Sequence, residues 1–440
     1  MKMSIGKEFA KYVFLNILGM AGLSCYILAD TYFVSARLGS DGLAALNIAI
    51  SSFNFINGIG LMLGIGGATR YVICREQEQI KEADQVFTQA VFWGVVIGLA
   101  IFAAGKIYAG DLAHLLGARG HILDMSAVYL RTIFSFAPFF ILNNTLIAFV
   151  RNDYAPRLAM LGMLSGSFLN ILLDYVFIFP MDLGIFGAAL ATGCAPVLGL
   201  ILTSTHILRK KNHFHFCRIR ISFKKMIHIC SLGTSSFLDE ISGGIVLIVF
   251  NLLMLKFAGN TGVAAYGIIA NLALVALAFL IGLSQGTQPL ISRFFGQGQY
   301  KEVRRVYRYA VVTAVVIGVV VIAIVYGFTD ELIRVFNSSR DPELARIAGG
   351  GIHLYFTGFL IVGINIVTAS RFASTAHPKS SLGIASLRGI IGIVLLALLL
   401  SVLFGQTGLW LAFPCTEAVT LAVGMILRKI LNRKEQRERT

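Results

Sequence analysis

The chain has 440 residues, 57% hydrophobic and 13% charged, about half the charged share of an ordinary soluble domain. No soluble fold of this length hides so much apolar surface, so most of its helices must face lipid. The net charge of +15 does not mark a nucleic-acid binder, because the basic residues sit between apolar runs, and the six cysteines, with no C-x-x-C spacing, make neither a zinc site nor a disulfide framework.

A membrane span needs about 20 apolar residues. Twelve segments qualify, at about 11–36, 43–69, 86–108, 124–149, 157–179, 185–208, 229–256, 263–290, 307–329, 347–371, 380–404 and 408–427. They predict an all-α polytopic membrane protein. Lysines precede the first apolar run without a small-residue cleavage pattern, so that run is read as a span and not as a removed signal. Spans 1–2, 5–6, 7–8 and 11–12 are joined by short links, such as Leu38-Gly39-Ser40-Asp41-Gly42 and Gly259-Asn260-Thr261-Gly262. Pro138, Pro196, Pro289 and Pro414 fall inside spans and mark bends. With the N-terminus in the cytoplasm, 29 of the 37 Lys and Arg lie at cytoplasmic span ends and 8 at outer ends. The expected location is the cell membrane, with both termini cytoplasmic. The central link, about 209–228, is strongly basic and is expected to lie on anionic headgroups. Its His213 and His215 form an H-x-H pair, a weaker metal candidate.

The two halves repeat. Gly39, Gly42, Ala44 and Ala45 recur as Gly259, Gly262, Ala264 and Ala265, an offset of 220, and Lys81-Glu82 and Val95–Gly98 recur at the same offset. Gly60 and Gly64 match Gly282 and Gly286 only at 222, with a local gap. Six spans per repeat keep both halves in the same orientation. The expectation is two parallel six-helix bundles related by a pseudo-twofold axis along the membrane normal, residues 1–212 and 213–440, with a cavity between them. One chain with two halves fits an alternating-access carrier better than a channel.

Five acids fall within spans: Asp30, Asp174, Asp239, Glu240 and Glu417. A carboxylate in hydrocarbon is costly and usually marks an ion or substrate path. Glu417 and Asp239 are read as helix-end carboxyls or carboxyls satisfied by a neighbouring Ser, Thr or Asn. Asp30 and Asp174 share a depth in the outer half of the first bundle with Tyr129, Asn170 (one turn from Asp174) and Thr192. Such a pocket can hold Na⁺ through the oxygens of Asp30, Asn170, Asp174 and Thr192. It can equally hold a proton, because two carboxyls in a low-dielectric site favour a shared proton. The second half has no copy: Asp30, Asn170 and Asp174 map to Phe250, Ile390 and Val394. There the candidate is Glu240, near mid-depth, able to neutralise a cationic substrate. Asn271 and Gln285 are further in-span polar groups on the expected substrate path, with Asn143 and Asn144, and 33 Phe and 14 Tyr supply faces for cation–π contact.

Over both halves the sequence resembles the multidrug and toxic compound extrusion (MATE) family of the MOP superfamily. The stretches that carry the resemblance are Ala29-Asp30-Thr31-Tyr32-Phe33-Val34 with Arg37-Leu38-Gly39, Asn170–Phe179 followed by Gly184–Thr192, Ala264–Ile268, and Gly286-Thr287-Gln288-Pro289 with Gly296 and Gly298. The resemblance to DinF-like members implies a cation site on Asp30, Tyr129, Asn170, Asp174 and Thr192. Gly233-Thr234-Ser235-Ser236-Phe237-Leu238-Asp239-Glu240 is similar to MepA-like members. NorM-type members also carry an acid in span 7, although the Gly-to-acid spacing here is shorter and span 10 lacks their acid. The first span has Gly19 and Gly22 where some members bend at a proline.

The function so implied is a secondary multidrug antiporter that exports cationic drugs or dyes in exchange for H⁺ or Na⁺. It would act as a monomer among membrane lipids, without an organic cofactor or nucleic acid. A lipid-linked precursor flippase of the same superfamily is the alternative, and it would need a cavity rich in Arg and Lys. No H-E-x-x-H, paired catalytic aspartates in a loop or ATP-binding motif points to an enzyme or a primary pump.

Overall fold

The computed structural model describes residues 4–337 and 340–437, and among these all regular structure is helical. The helices are α1 (Ile5–Glu76), α2 (Ile80–Leu115), α3 (Gly120–Ser135), α4 (Ala137–Asn152), α5 (Pro156–Ile178), α6 (Gly184–Leu208), α7 (Phe223–Gly296), α8 (Tyr300–Gly327), α9 (Thr329–Phe336), α10 (Pro342–Tyr355), α11 (Phe359–Ser374), α12 (Pro378–Ser386) and α13 (Gly392–Arg437).

Three of these are too long to be one span. Straight, the 72 residues of α1 would reach about 108 Å, against a hydrocarbon core of about 30 Å. Each long helix reverses at a glycine in the left-handed region: Gly39 in α1 (φ 61°), Gly259 in α7 (φ 57°) and Gly405 in α13 (φ 58°). An L side chain is strained there, so the break needs glycine. Each arm is then one span. The pair α3–α4, bent by 49°, makes span 4. α10 and α11 join through a 3₁₀ turn at Phe356–Gly358 as span 10. α12 runs through a π-turn at Leu387–Ile391 into the first arm of α13 as span 11. The total is twelve spans.

The repeat is written in the backbone. Left-handed residues pair across the halves: Gly39 with Gly259, Glu78 with Gly298 and Gly120 with Arg340 at an offset of 220, Gly184 with Gly405 at 221, and Tyr154 with Ala376 at 222. The breaks in spans 4 and 10 are also equivalent. A side chain added at Gly98 would meet Pro138, and one at Gly318 would meet Phe359.

The bundles meet on the face that carries the 209–222 linker, termed the linker face. A Cβ on Gly66 would clash with the Ile229 carbonyl, and one on Gly233 with the Met62 carbonyl. The symmetric pair is Gly286 against Val13 and Tyr12, and Gly282 against Ile17. Glycine lets these backbones touch, which in lipid supplies the van der Waals gain that water would otherwise drive. Gly66 is therefore the counterpart of Gly286 at an offset of 220, and the two-residue gap expected between Gly64 and Gly286 is not needed. A polar layer seals the same face. Arg151 donates to Asn16 (2.7 Å) and Gln285 (2.6 Å), Asn152 to Gln288 (3.0 Å) and Arg293 to Glu8 (2.6 Å).

This packing has a direct consequence. Gly233→Val should force span 7 off span 2 and lower the melting temperature of the purified protein by at least about 2 °C, the scale of an overpacking defect. Gly243→Val, where a Cβ meets nothing within 4 Å, should leave it unchanged.

Candidate functional site

Span 1 brings Asp30 against span 5 because Gly19 and Gly22 let the two helices close on Met163 and Leu164. No residue of span 1 before Gly39 leaves helical geometry, so these glycines act as packing surfaces and not as a bend. Asp174 and Asn170 stand one turn apart on span 5, Tyr129 comes from α3 and Thr192 from α6. All five are buried.

The amide orientation of Asn170 that satisfies both its ends has the nitrogen donating to Asp174 Oδ2 (3.0 Å) and the oxygen accepting from the Thr192 N–H (3.2 Å). Tyr129 reaches Thr192, and the Asp30 carboxyl acts electrostatically on both Asp174 and Tyr129. The structure thus brings the five residues into one cluster. One oxygen of each acid, Oδ1 of Asp30 and Oδ1 of Asp174, is buried without a hydrogen-bond partner. Among the described residues no Lys, Arg or His forms an ion pair with either carboxyl. Two buried acids with open oxygens, an amide and hydroxyls make a donor set suited to a hard monovalent cation or a shared proton. Above them, Arg37 pairs with Asp182 (2.9 Å) and Phe33 packs on Phe179 and Tyr175.

Glu240 lies apart, at the junction of the bundles. It accepts from Asn57 Nδ2 (2.8 Å), whose oxygen accepts from Asn144 Nδ2 (2.6 Å), so a polar chain runs from span 7 through span 2 to span 4. Phe55 and Phe237 stack edge to face across the same junction. Tyr26 lies within electrostatic range of Asp30, Asp174 and Glu240. Tyr26 and Asn57 are missing from the sequence-based set, though Tyr26 precedes Asp30 by one helical turn. Asn271 bonds the Gly267 carbonyl of its own helix (2.9 Å), and Gln285 sits in the linker-face layer on Arg151, away from Glu240.

Asp239 and Glu417 correct the sequence reading. Neither is a helix-end carboxyl, nor one satisfied by Ser, Thr or Asn alone. Arg388, counted from sequence among the cytoplasmic bases, lies inside the second bundle. Its Nη1 donates to Asp239 (2.9 Å) and its Nε to Glu417 (2.9 Å), while Asn365 donates to the other Glu417 oxygen (2.7 Å).

The central linker is anchored by one buried side chain and one buried carboxylate. It docks on the first bundle. Phe214 is fully buried, packed on Phe87, Phe149 and Tyr71. Asp153, just past the end of α4, accepts from Tyr71, Arg75 and the His213 N–H, and meets His206 and the His213 ring. His215 approaches Asp84 (3.8 Å). The H-x-H pair is thus spent on carboxylates, and among the described residues no three His, Cys, Asp or Glu gather as a metal group. Burial opposes ionisation of Asp153, but the bonds from His206, the His213 N–H and Tyr71 outweigh it and hold its carboxyl below the usual range.

The sequence profile of the MatE family matches residues 16–176 and 240–398, once in each half. The chain is 27% identical over 432 residues to the multidrug export protein MepA of Staphylococcus saprophyticus, covering 98% of this chain and 95% of that protein. It is 26% identical over 411 residues to MepA of Staphylococcus aureus, covering 92% and 89%. Among solved structures it resembles an outward-facing multidrug resistance MATE family transporter of the MOP superfamily, with TM-score 0.91, 21% identity and coverage of 99% and 97%. It also resembles a MOP superfamily transporter from Pyrococcus furiosus, with TM-score 0.90, 21% identity and coverage of 96% and 95%. At these identities the structures establish the fold.

The Asp153 contacts set a test of the linker. Asp153→Asn should speed tryptic cleavage between 209 and 220 about tenfold, because charge-assisted bonds worth roughly 1.5–3 kcal/mol each are weakened. A depressed carboxyl contributes stability that is complete above its unfolded pKa of about 3.9 and is lost as pH falls through the folded value. Amide-exchange protection of 213–217, corrected for intrinsic rates, should therefore persist at pH 5 and fall only below about pH 4.

Proposed function

The chain belongs to the MatE family and is a multi-pass membrane transporter, and from that premise we propose that it is a secondary multidrug antiporter. It exports organic cations in exchange for H⁺ or Na⁺ by rocking one bundle against the other. The halves are residues 1–212 and 213–440, the linker face and both termini are cytoplasmic, and the protein works as a monomer in the cell membrane. The basic linker and span ends on that face support the orientation. The likeness to the staphylococcal multidrug export proteins supports the substrate class.

One observation carries the coupling reading: the Asp30 and Asp174 carboxyls are buried together, each with an oxygen lacking a partner and with no base to neutralise it. A charge moving into such a site is stabilised where a second negative charge is not tolerated, so the pocket takes up a cation in one state and must be discharged in another. Asp30, Asn170, Asp174 and Thr192 would ligate Na⁺, and Asp30 and Asp174 would share a proton, with Tyr129 ordering Thr192. One ion entering against one monovalent organic cation leaving moves no net charge, so the ion's concentration gradient drives the exchange, and a tenfold gradient, about 1.4 kcal/mol, supports about tenfold accumulation. Glu240, with its carboxylate at the bundle junction on Asn57, neutralises the organic cation. Asn271 and Gln285 belong to the path that opens when the linker face parts. The flippase alternative needs spare buried bases for phosphate, whereas Arg151 and Arg388 are both engaged with protein groups.

Proteoliposomes should extrude ethidium under an imposed pH or Na⁺ gradient. Asp30→Asn and Asp174→Asn should each cut that rate at least about a hundredfold with normal membrane insertion, as loss of an essential ion ligand does. Glu240→Gln should chiefly weaken ethidium affinity. Full transport in both aspartate variants would overturn the assignment. The gradient that drives transport identifies the ion.

A further inference from the structure

Asp239 and Glu240 are neighbours on span 7 that face different partners. Glu240 points to Asn57 of the first bundle, while Asp239 holds Arg388 of the second. The Arg388 cluster is lopsided. Glu417 is 1% exposed and has both oxygens bonded, one by Arg388 and one by Asn365. Asp239 is 33% exposed and receives the guanidinium on a single oxygen. One turn along the same helix face, a Cβ at Gly243 would meet nothing within 4 Å. Open space therefore adjoins Asp239. An ionisable side chain at this depth faces a watered cavity and not lipid, because hydrocarbon contact is too costly.

Arg388 itself stands in the π-turn Leu387–Ile391, a local widening that is common at functional positions and leaves slack in the helix. Gly389 allows this turn to press on Ser242 of span 7, so the guanidinium is delivered from close range.

We propose that Arg388 is a tethered stand-in for the transported cation. An organic cation entering the cavity binds Asp239 by displacing the guanidinium, which stays bonded to Glu417. No unpaired charge is left behind in the exchange. The Asp239 pair is broken and remade with the substrate, and the buried Arg388–Glu417 pair persists. Two carboxylates with one guanidinium carry one net negative charge, and Glu240 beside them adds another, so the wall attracts cations and repels anions. When the substrate leaves, Arg388 closes back on Asp239, which resists rebinding from the side of release. The inference rests on the multidrug reading and adds to it the residue that competes with the substrate.

The test is equilibrium binding of tetraphenylphosphonium to the purified full-length protein. Arg388→Met, of similar length without charge, should bind it about tenfold more tightly, because the competitor is gone. Arg388→Lys should stay near wild type, and Asp239→Asn should bind several-fold more weakly. The double variant Asp239→Asn/Arg388→Met should lose the gain. A folded Arg388→Met protein with unchanged or weaker affinity overturns the proposal. If that variant does not fold, Asp239→Asn decides, since Glu417 still holds its Arg388: unchanged affinity there overturns the proposal. Wild-type protein that binds no tetraphenylphosphonium would sink the multidrug reading itself, whereas wild-type binding that neither variant alters sinks only the role of Arg388.

Discussion

An ionised side chain inside a bilayer must find a partner, a watered cavity or a proton, and this constraint sorts the interior of the molecule. Arg388 bridges Asp239 and Glu417, and Glu240 ends a chain of asparagine amides. Arg151, fully buried, leans on neutral oxygens of Asn16 and Gln285 where the bundles join. After these are accounted for, Asp30 and Asp174 are left sharing a pocket without a base. That pocket is an arrangement that a mobile cation or proton relieves. That is the physical ground for placing ion coupling there.

The symmetry of the backbone and the asymmetry of the chemistry belong together. The left-handed turns and the glycine contacts repeat across the halves, as two copies of one six-span unit would. The charged groups do not repeat. The first bundle carries open carboxylates, and the second carries carboxylates already closed by an arginine. In the proposed transport cycle the first bundle reads the ion and the second reads the organic cation, with Tyr26 within electrostatic range of Asp30, Asp174 and Glu240. The linker is strapped to the first bundle by Phe214 and Asp153.

Much of this was legible in the chain. Spans are legible because hydrocarbon demands long apolar runs, and the repeat because Gly39 and Gly259 must both be glycine to reverse a helix. The first pocket was legible because Asp30, Asn170 and Asp174 stand in apolar surroundings at one depth and helical spacing places Asn170 below Asp174. Arg388 was not, because ten residues after Pro378 it counts equally well as a basic span end, and the π-turn that carries it leaves no mark in periodicity. The linker is only half legible for a related reason. Its basic composition speaks for a membrane surface, whereas its anchor, one buried phenylalanine in a cage from α1, α2 and α4, exists only once those helices are packed.

The central claim is that one pocket, Asp30 with Asp174, exchanges its ion against substrate bound elsewhere. The most direct measurement is ion release from purified protein in weak buffer on addition of tetraphenylphosphonium, followed by a pH dye and a Na⁺ dye. Substrate should expel H⁺ or Na⁺, the release should vanish in both Asp30→Asn and Asp174→Asn, and it should persist in Glu240→Gln at saturating substrate. Release that survives in both aspartate variants, or that disappears only with Glu240→Gln, would contradict the claim.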